Sequence, residues 1–179
     1  MTLFEAKKLL TENNIVFEIK EFEDEAAYWH HTRFFPYTKN ARTCKVIALI
    51  ITSNNGKKNI ELQFNAVDDD FLFEELHFGD FCFEMFNYTE EMLANDLMNN
   101  INEIKGGAIS VIIANDLKKQ VWLCDSRYNL KDDDDLFGKP GFEKTVKNIQ
   151  APKSFISKLL KTKIQYEIYN WDSYQCIIK

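Results

Sequence analysis

Three histidines are the side chains of this sequence best suited to binding a metal. His30 and His31 are adjacent, so on a helix they point about 100° apart and do not ligate one metal together. His77 lies close to Glu75 and Asp80, and imidazole and carboxylate groups are suitable ligands for a divalent metal. No H-E-x-x-H, H-x-E or facial-triad spacing accompanies them. The sequence therefore predicts no metal site and no cofactor.

Four cysteines are the candidate nucleophiles, and they lie far apart at Cys44, Cys82, Cys124 and Cys176. The lack of a C-x-x-C pair excludes zinc-ribbon and thioredoxin-like sites. A thiolate paired with His77 would need an accessible sulfur, whereas each cysteine sits in an apolar, strand-like stretch. We expect four small buried side chains in a reducing compartment. No G-x-S-x-G elbow or phosphate-binding glycine loop is present, which favours a protein that is not an enzyme.

Charge is segregated along the chain, although the net charge is only −6. Residues 26–60 contain no acidic residue, and residues 61–104 contain no lysine or arginine. One interpretation is that neighbouring strands place the two blocks side by side, so that the charges pair across a sheet. The other is an acidic wall that attracts a basic partner. The wall is formed by Glu74, Glu75, Asp80 and Glu84.

Two functional hypotheses follow from these patterns. The first is a non-enzymatic interaction protein, such as an inhibitor, an immunity-type antidote or an adaptor, whose acidic wall binds a basic protein. Trp171, at a C-terminal turn, would suit a binding hot spot there. The alternative is an enzyme, or a protein that binds a small ligand or a metal in a pocket. That pocket would lie around Trp29, His30, Arg33 and His77.

A nucleic-acid partner is disfavoured by the overall charge. Residues 28–37 mix aromatic side chains with cations, as surfaces that bind single strands do. The isoelectric point near 5.2 opposes this function, because the remaining field repels phosphate. We expect the aromatic side chains to anchor the core instead.

Length and composition indicate one globular domain of 179 residues, with a small C-terminal subdomain possible from about residue 139. The apolar runs are too short to span a bilayer, and the first residues lack a signal peptide's apolar core. We therefore expect a cytoplasmic protein without membrane contact. Lysine far outnumbers arginine and asparagine is abundant, as in proteins of AT-rich bacterial genomes. Nothing in the sequence requires a dimer.

The elements expected to position these side chains are hairpins and a few helices. Thr2 and Glu5 fit a capping box at the start of a helix, and Asp24 can cap a second. Asn55 and Gly56 favour a tight turn between two apolar strands. Short polar turns link the later strands too, and residues 125–141 are predicted to be a long loop. The sequence therefore predicts an α+β fold, with a mostly antiparallel sheet built from hairpins and helices packed on one face.

Overall fold

The computed structural model describes residues 1–33, 38–83, 85, 89–130, 141–151 and 163–179. The chain divides into two compact units, Met1–Asn102 and Glu103–Lys179. The predicted α+β fold with mostly antiparallel strands is confirmed. The strands form two sheets rather than one, a division that the local sequence patterns do not show. The possible subdomain boundary near residue 139 lies outside the described residues.

The first unit contains helices α1 to α3 and strands β1 to β5. In chain order they are α1 (Leu3–Glu12), β1 (Glu18–Phe22), α2 (Glu25–Thr32), β2 (Val46–Ile51), β3 (Ile60–Val67), β4 (Asp70–Phe78), β5 (Phe81–Phe83) and α3 (Glu90–Lys105). The five strands form an antiparallel meander, in which each strand pairs with the next along the chain. The last turn of α3 extends into the second unit.

The first two helices start where their capping residues predict. The Thr2 hydroxyl accepts a hydrogen bond from the Glu5 amide, and the Glu5 carboxylate accepts one from the Thr2 amide, which is a capping box. The Asp24 carboxylate caps α2 by accepting from the Ala27 amide at 2.7 Å. Tyr28, one turn further on, is completely buried against Val46 and neighbouring β2 side chains. The cap and this contact together fix α2 on one face of the sheet.

Strands β2 and β3 form the buried centre of this sheet. Every residue of β2 is buried, so both faces of that strand are covered. Strand β3 alternates apolar with polar side chains, yet Glu61, Gln63 and Asn65 are also buried. These three share the face that α2 covers, because their partners Ile50, Ala48 and Val46 contact Tyr28 or its neighbours. The face of the sheet that α2 covers therefore carries buried polar side chains.

Two local features set the register near the end of β4. A bulge between β3 and β4 leaves Glu74 as the extra residue, because Gln63 pairs with Glu75 and Phe64 with Phe73. Gly79 has a φ of 58°, which allows the two-residue turn between Phe78 and Phe81. This turn places β5 directly beside the end of β4.

The second unit contains strands β6 to β9 and one described helix. They are β6 (Ile109–Asp116), β7 (Val121–Asn129), α4 (Phe142–Gln150), β8 (Ile164–Tyr169) and β9 (Tyr174–Ile178). The sheet order is β7-β6-β8-β9, with every pair antiparallel. Ile149 of α4 packs on Ile112 and Ile168, and Tyr128 and Phe142 pack against this cluster.

One predicted loop is partly strand in this unit. The sequence places residues 125–141 in a loop, but β7 continues to Asn129. Its polar residues Asp125, Ser126 and Arg127 pair with buried Ile113, Ile112 and Val111 of β6. The β6 ladder thus extends the strand beyond the point where local polarity predicts its end. Among the described residues, no helix is both long and apolar enough to cross a bilayer.

Candidate metal centre

The register of the first sheet brings chemically active side chains into one row. Glu61 on β3 pairs with His77 on β4, and His77 pairs with Cys82 on β5. Residues directly opposite one another in antiparallel strands share a face. Glu75 lies two residues before His77 and projects to the same side. The face covered by α2 therefore carries two carboxylates, an imidazole and a thiol side by side.

Glu75, His77 and Cys82 form the tightest part of this row. One carboxylate oxygen, one ring nitrogen and the sulfur all lie within 4.8 Å of one another. Nε2 of His77 is 3.0 Å from Oε2 of Glu75. The His77 side chain is completely buried, yet neither ring nitrogen makes a hydrogen bond of standard geometry with the described residues. A buried polar atom without any partner costs about 1–3 kcal/mol, and this applies to Nδ1, because Nε2 has the Glu75 carboxylate beside it.

Glu75 keeps its negative charge in this setting. Its polar contact with His77 is the largest influence and lowers the carboxyl pKa, while partial burial acts in the opposite direction. The nearby Arg33 guanidinium lowers the pKa further. About a third of the Glu75 side chain is exposed, and Cys82 is half-buried. Part of the Glu75 side chain therefore reaches solvent, while its Oε2 and the His77 ring are buried.

Helix α2 delivers two further side chains to the cluster. Arg33 directly follows the helix, and its amide donates to the Trp29 carbonyl at 2.9 Å. The guanidinium carbon lies 5.3 Å from the centre of a Trp29 ring, and Nη2 lies 3.8 Å from Oε2 of Glu75. Trp29, Arg33 and His77, three residues of the predicted pocket, are thus brought together. His30, the fourth, is exposed and lies outside this cluster.

His31 lies next to the sheet, whereas the sequence-based prediction placed His30 in the pocket with His77. Its Nε2 lies 3.7 Å from Oε1 of Glu61, and its ring packs beside Phe22. Burial lowers the pKa of His31, whereas burial raises the pKa of Glu61 to about 7. His31 is three residues after Tyr28, so the two share one face of α2. This spacing is a sequence signal from which the position of His31 could have been predicted. No sequence signal indicated that Glu61 would be buried.

The carboxylates of the predicted acidic wall are paired with the basic block. Arg42 binds Glu74, Arg33 lies 3.8 Å from Glu75, and Lys58 binds Asp80 at 3.1 Å. Glu84 lies outside the described residues. At these three positions the charges alternate in sign, as the charge-pairing interpretation predicts. The bulge explains the position of the Glu74 side chain, because the extra residue of a bulge does not follow the regular alternation of side chains along a strand.

The structure shows how far Trp171 and the cysteines are exposed. Trp171 is only 7% exposed, so most of its ring is buried at the turn, and a role for it in binding stays a prediction. The cysteines are not uniformly buried, since Cys124 and Cys176 are exposed while Cys44 and Cys82 are half-buried. Both exposed cysteines lie on β7 and β9, which are the outer strands of the second sheet among the strands that the structure describes. Apolar sequence alone does not distinguish a central strand from an edge strand.

The donor set at Glu75, His77 and Cys82 determines what the site can do chemically. Oxygen, nitrogen and sulfur ligands together suit a zinc-class divalent ion, and three protein ligands leave one coordination position open. Comparison of the chain with models of known protein families, with curated proteins and with solved structures gave no match.

Proposed function

We propose that this chain binds a divalent ion of the zinc class through Glu75, His77 and Cys82. The observation that carries the proposal is the completely buried His77 ring, which has a carboxylate and a thiol beside it. Its nitrogens make no hydrogen bond of standard geometry with any described residue, although Nε2 lies 3.0 Å from Oε2 of Glu75. A metal bound to Nε2 would satisfy one of these nitrogens and neutralise the Glu75 charge. This function develops the pocket alternative predicted around Trp29, His30, Arg33 and His77, with His30 outside it.

The three side chains come from one rigid hairpin. Glu75 and His77 lie on β4, and Cys82 lies on β5 across the short turn at Gly79. A site built on paired strands needs little reorganisation to accept a metal. Because the thiol binds zinc as the thiolate, the proposal also requires a reducing compartment, and we propose that this compartment is the cytoplasm.

The decisive experiment measures zinc binding by calorimetry and by metal analysis after gel filtration. We expect one zinc per chain for the native protein. His77→Gln and Cys82→Ser should weaken binding at least tenfold, since each removes one of three ligands. His30→Gln and Cys124→Ser change the same residue types at exposed positions and serve as matched controls.

Cobalt gives a second readout of the same site. A cobalt-loaded protein should show a thiolate-to-cobalt absorption band that disappears in Cys82→Ser and persists in Cys124→Ser. Circular dichroism checks that each variant is folded. The proposal fails when folded native protein binds no stoichiometric zinc, or when Cys82→Ser binds zinc as tightly as the native chain.

A second candidate function is the predicted binding of a basic protein, but at another place. A groove of about 310 Å³ lies between α1 and the first turns of α3, with Leu9 on its apolar part. Four carboxylates line it, those of Glu5, Glu12, Glu90 and Glu91, together with one ammonium group, that of Lys8, which lies 3.9 Å from Glu12. We propose this groove, and not the paired wall residues, as the surface that a basic partner would contact.

The groove is tested by charge reversal. The double variant Glu90→Lys/Glu91→Lys should release a salt-sensitive basic partner captured from native lysate. Glu143→Lys, at an exposed site in the second unit, should leave the capture intact. A basic partner that is retained by the double variant would contradict the groove as the contact surface.

A further inference from the structure

The charges around the proposed metal centre leave it suited to an anion. A divalent ion bound by the Cys82 thiolate, the Glu75 carboxylate and neutral His77 has no net charge. Arg33 then adds one positive charge at its edge. A zinc ion bound to Oε2 of Glu75 at about 2.1 Å would lie within about 6 Å of Nη2 of Arg33. The proposed metal therefore lies close to a cation.

Arg33 is held in place by two independent contacts. Its amide donates to the Trp29 carbonyl at 2.9 Å, which anchors the backbone to the end of α2. Its guanidinium lies 5.3 Å from the centre of a Trp29 ring. Stacking on an aromatic ring limits the motion of the guanidinium plane, so less entropy is lost when a ligand binds. The side chain is 29% exposed, and a small ligand can approach it from solvent.

Two buried donors on Arg33 and Trp29 have no acceptor within the part of the chain that the structure describes. Nε of Arg33 and Nε1 of Trp29 are both buried, and neither makes a hydrogen bond among the described residues. Both groups only donate, so the missing partner must be an acceptor. Glu75 is the carboxylate beside Arg33, at 3.8 Å from Nη2, whereas Asp80 pairs with Lys58 and Glu74 pairs with Arg42. A bound anion beside Arg33 would satisfy such donors.

We infer that the metal-loaded centre takes a small oxyanion, which fills the open position on the metal and accepts a hydrogen bond from Arg33. This inference rests on the proposed metal function. The shared chemistry is a negatively charged oxygen group, carried by a carboxylate or by a phosphate. Charge-assisted hydrogen bonds from arginine suit both groups. Arg33 is in this arrangement a ligand-binding residue, while Glu75, His77 and Cys82 hold the metal.

The test uses the cobalt-loaded full chain and its visible spectrum. Acetate and inorganic phosphate are titrated separately, with chloride at equal ionic strength as the reference. We expect at least one of the two to change the cobalt spectrum in a saturable way, and chloride to have no such effect. A response to acetate alone assigns a carboxylate ligand, and a response to phosphate alone assigns a phosphate ligand.

Arg33→Met separates the oxyanion from the metal. Methionine keeps an apolar stem against Trp29 but removes the charge and the donors. We expect the oxyanion to bind at least tenfold more weakly, while cobalt affinity is unchanged or higher because a nearby cation is gone. Lys39→Met removes an exposed positive charge nearby in sequence and should leave oxyanion binding as in the native chain.

Two results overturn the inference. One is a cobalt spectrum that responds to neither oxyanion. The other is an oxyanion response of equal affinity in Arg33→Met and in the native protein. Both are distinct from failure of the metal function, in which folded native protein binds no cobalt and shows no thiolate band at all.

Discussion

Nε2 of His77 lies 3.0 Å from Oε2 of Glu75, and both side chains project from strand β4 toward helix α2. Cys82 enters the same space from β5, because it pairs with His77 across the hairpin. Each group alone has an ordinary structural explanation. Their convergence around a buried imidazole, which makes no hydrogen bond of standard geometry with the described residues, is what points to a metal.

Metal binding should stabilise the native chain. A ligand that binds only the folded state at a free concentration of 100 times its Kd adds about 2.7 kcal/mol to the free energy of unfolding. We therefore expect zinc to raise the Tm of the native protein, and EDTA to reverse this rise. His77→Gln should show no such zinc-dependent rise, whereas His30→Gln should behave as the native chain. An equal zinc effect on His77→Gln would place the metal elsewhere.

Zinc should also protect one cysteine from alkylation. Cys82 is the sulfur in the cluster, while Cys124 and Cys176 are exposed on the second sheet. Treatment with N-ethylmaleimide followed by peptide mass spectrometry should show slower modification of Cys82 when zinc is present. The modification rates of Cys124 and Cys176 should stay the same. Equal protection of all three, or of none, would contradict the assignment of Cys82 as a ligand.

Glu61 should make the protein less stable as pH rises toward neutrality. Burial raises the pKa of Glu61 from 4.5 to about 7, so the folded state holds the proton more tightly than the unfolded state. The resulting stabilisation is complete below pH 4.5 and is lost as pH rises through about 7. The loss amounts to roughly 3 kcal/mol.

Urea unfolding between pH 5 and pH 8 measures this dependence. Glu61→Gln keeps the shape of the side chain without the titration, so its stability should vary less with pH over that range. Glu18→Gln, at an exposed position on β1, is the matched control and should follow the native chain. A native profile that rises steadily from pH 5 to pH 8, and that Glu61→Gln leaves unchanged, would contradict the role of Glu61.

Arg42→Met should strongly destabilise the first unit. Glu25 is only 2% exposed, and its Oε1 accepts from Nη2 of Arg42 at 2.6 Å and from Asn65 at 2.7 Å. Removing the guanidinium leaves a buried carboxylate without its counter-ion, which costs about 3–5 kcal/mol. Lys45→Met removes a nearby exposed charge and should change stability by less than about 0.5 kcal/mol. Chemical denaturation of both variants at pH 7 gives the comparison.

Acid should weaken the ion pair between Glu25 and Arg42. Burial acts to raise the pKa of Glu25, but hydrogen bonds from the Arg42 side chain and backbone and from Asn65 outweigh it and lower the pKa. The stabilisation is therefore present above pH 4.5 and is lost as the carboxylate is protonated at lower pH. Arg42→Met should remove this acid-dependent loss, so its stability should fall less than that of the native chain between pH 5 and pH 3. A parallel fall in both proteins would assign the acid sensitivity to other carboxylates.

Local sequence patterns were sufficient for the elements and for their class. The hydroxyl of Thr2, the carboxylate of Asp24 and the φ > 0 preference of Gly56 act within a few residues, so their effects are visible in the sequence. Apolar strands joined by short polar turns can pair only as antiparallel neighbours. The α+β class and the hairpins follow from those local rules.

The candidate site depends on contacts between residues distant in sequence, and these required the tertiary structure. Nothing local shows that Arg42 binds Glu25, or that the β4 bulge frees Glu74 from the alternation of its strand. The orientation of α2 decided that His31, and not His30, faces the sheet.

By itself the sequence determined where the first two helices begin, that short turns join antiparallel strands, and which side chains are capable of metal or charge chemistry. Only the tertiary structure decided that His77 meets Glu75 and Cys82, and that Arg33 lies beside them. The physical reason is that capping, turn preference and strand alternation are short-range interactions. Strand register and the packing of α2 depend on burying many apolar side chains at once, and that burial sets which polar groups become neighbours.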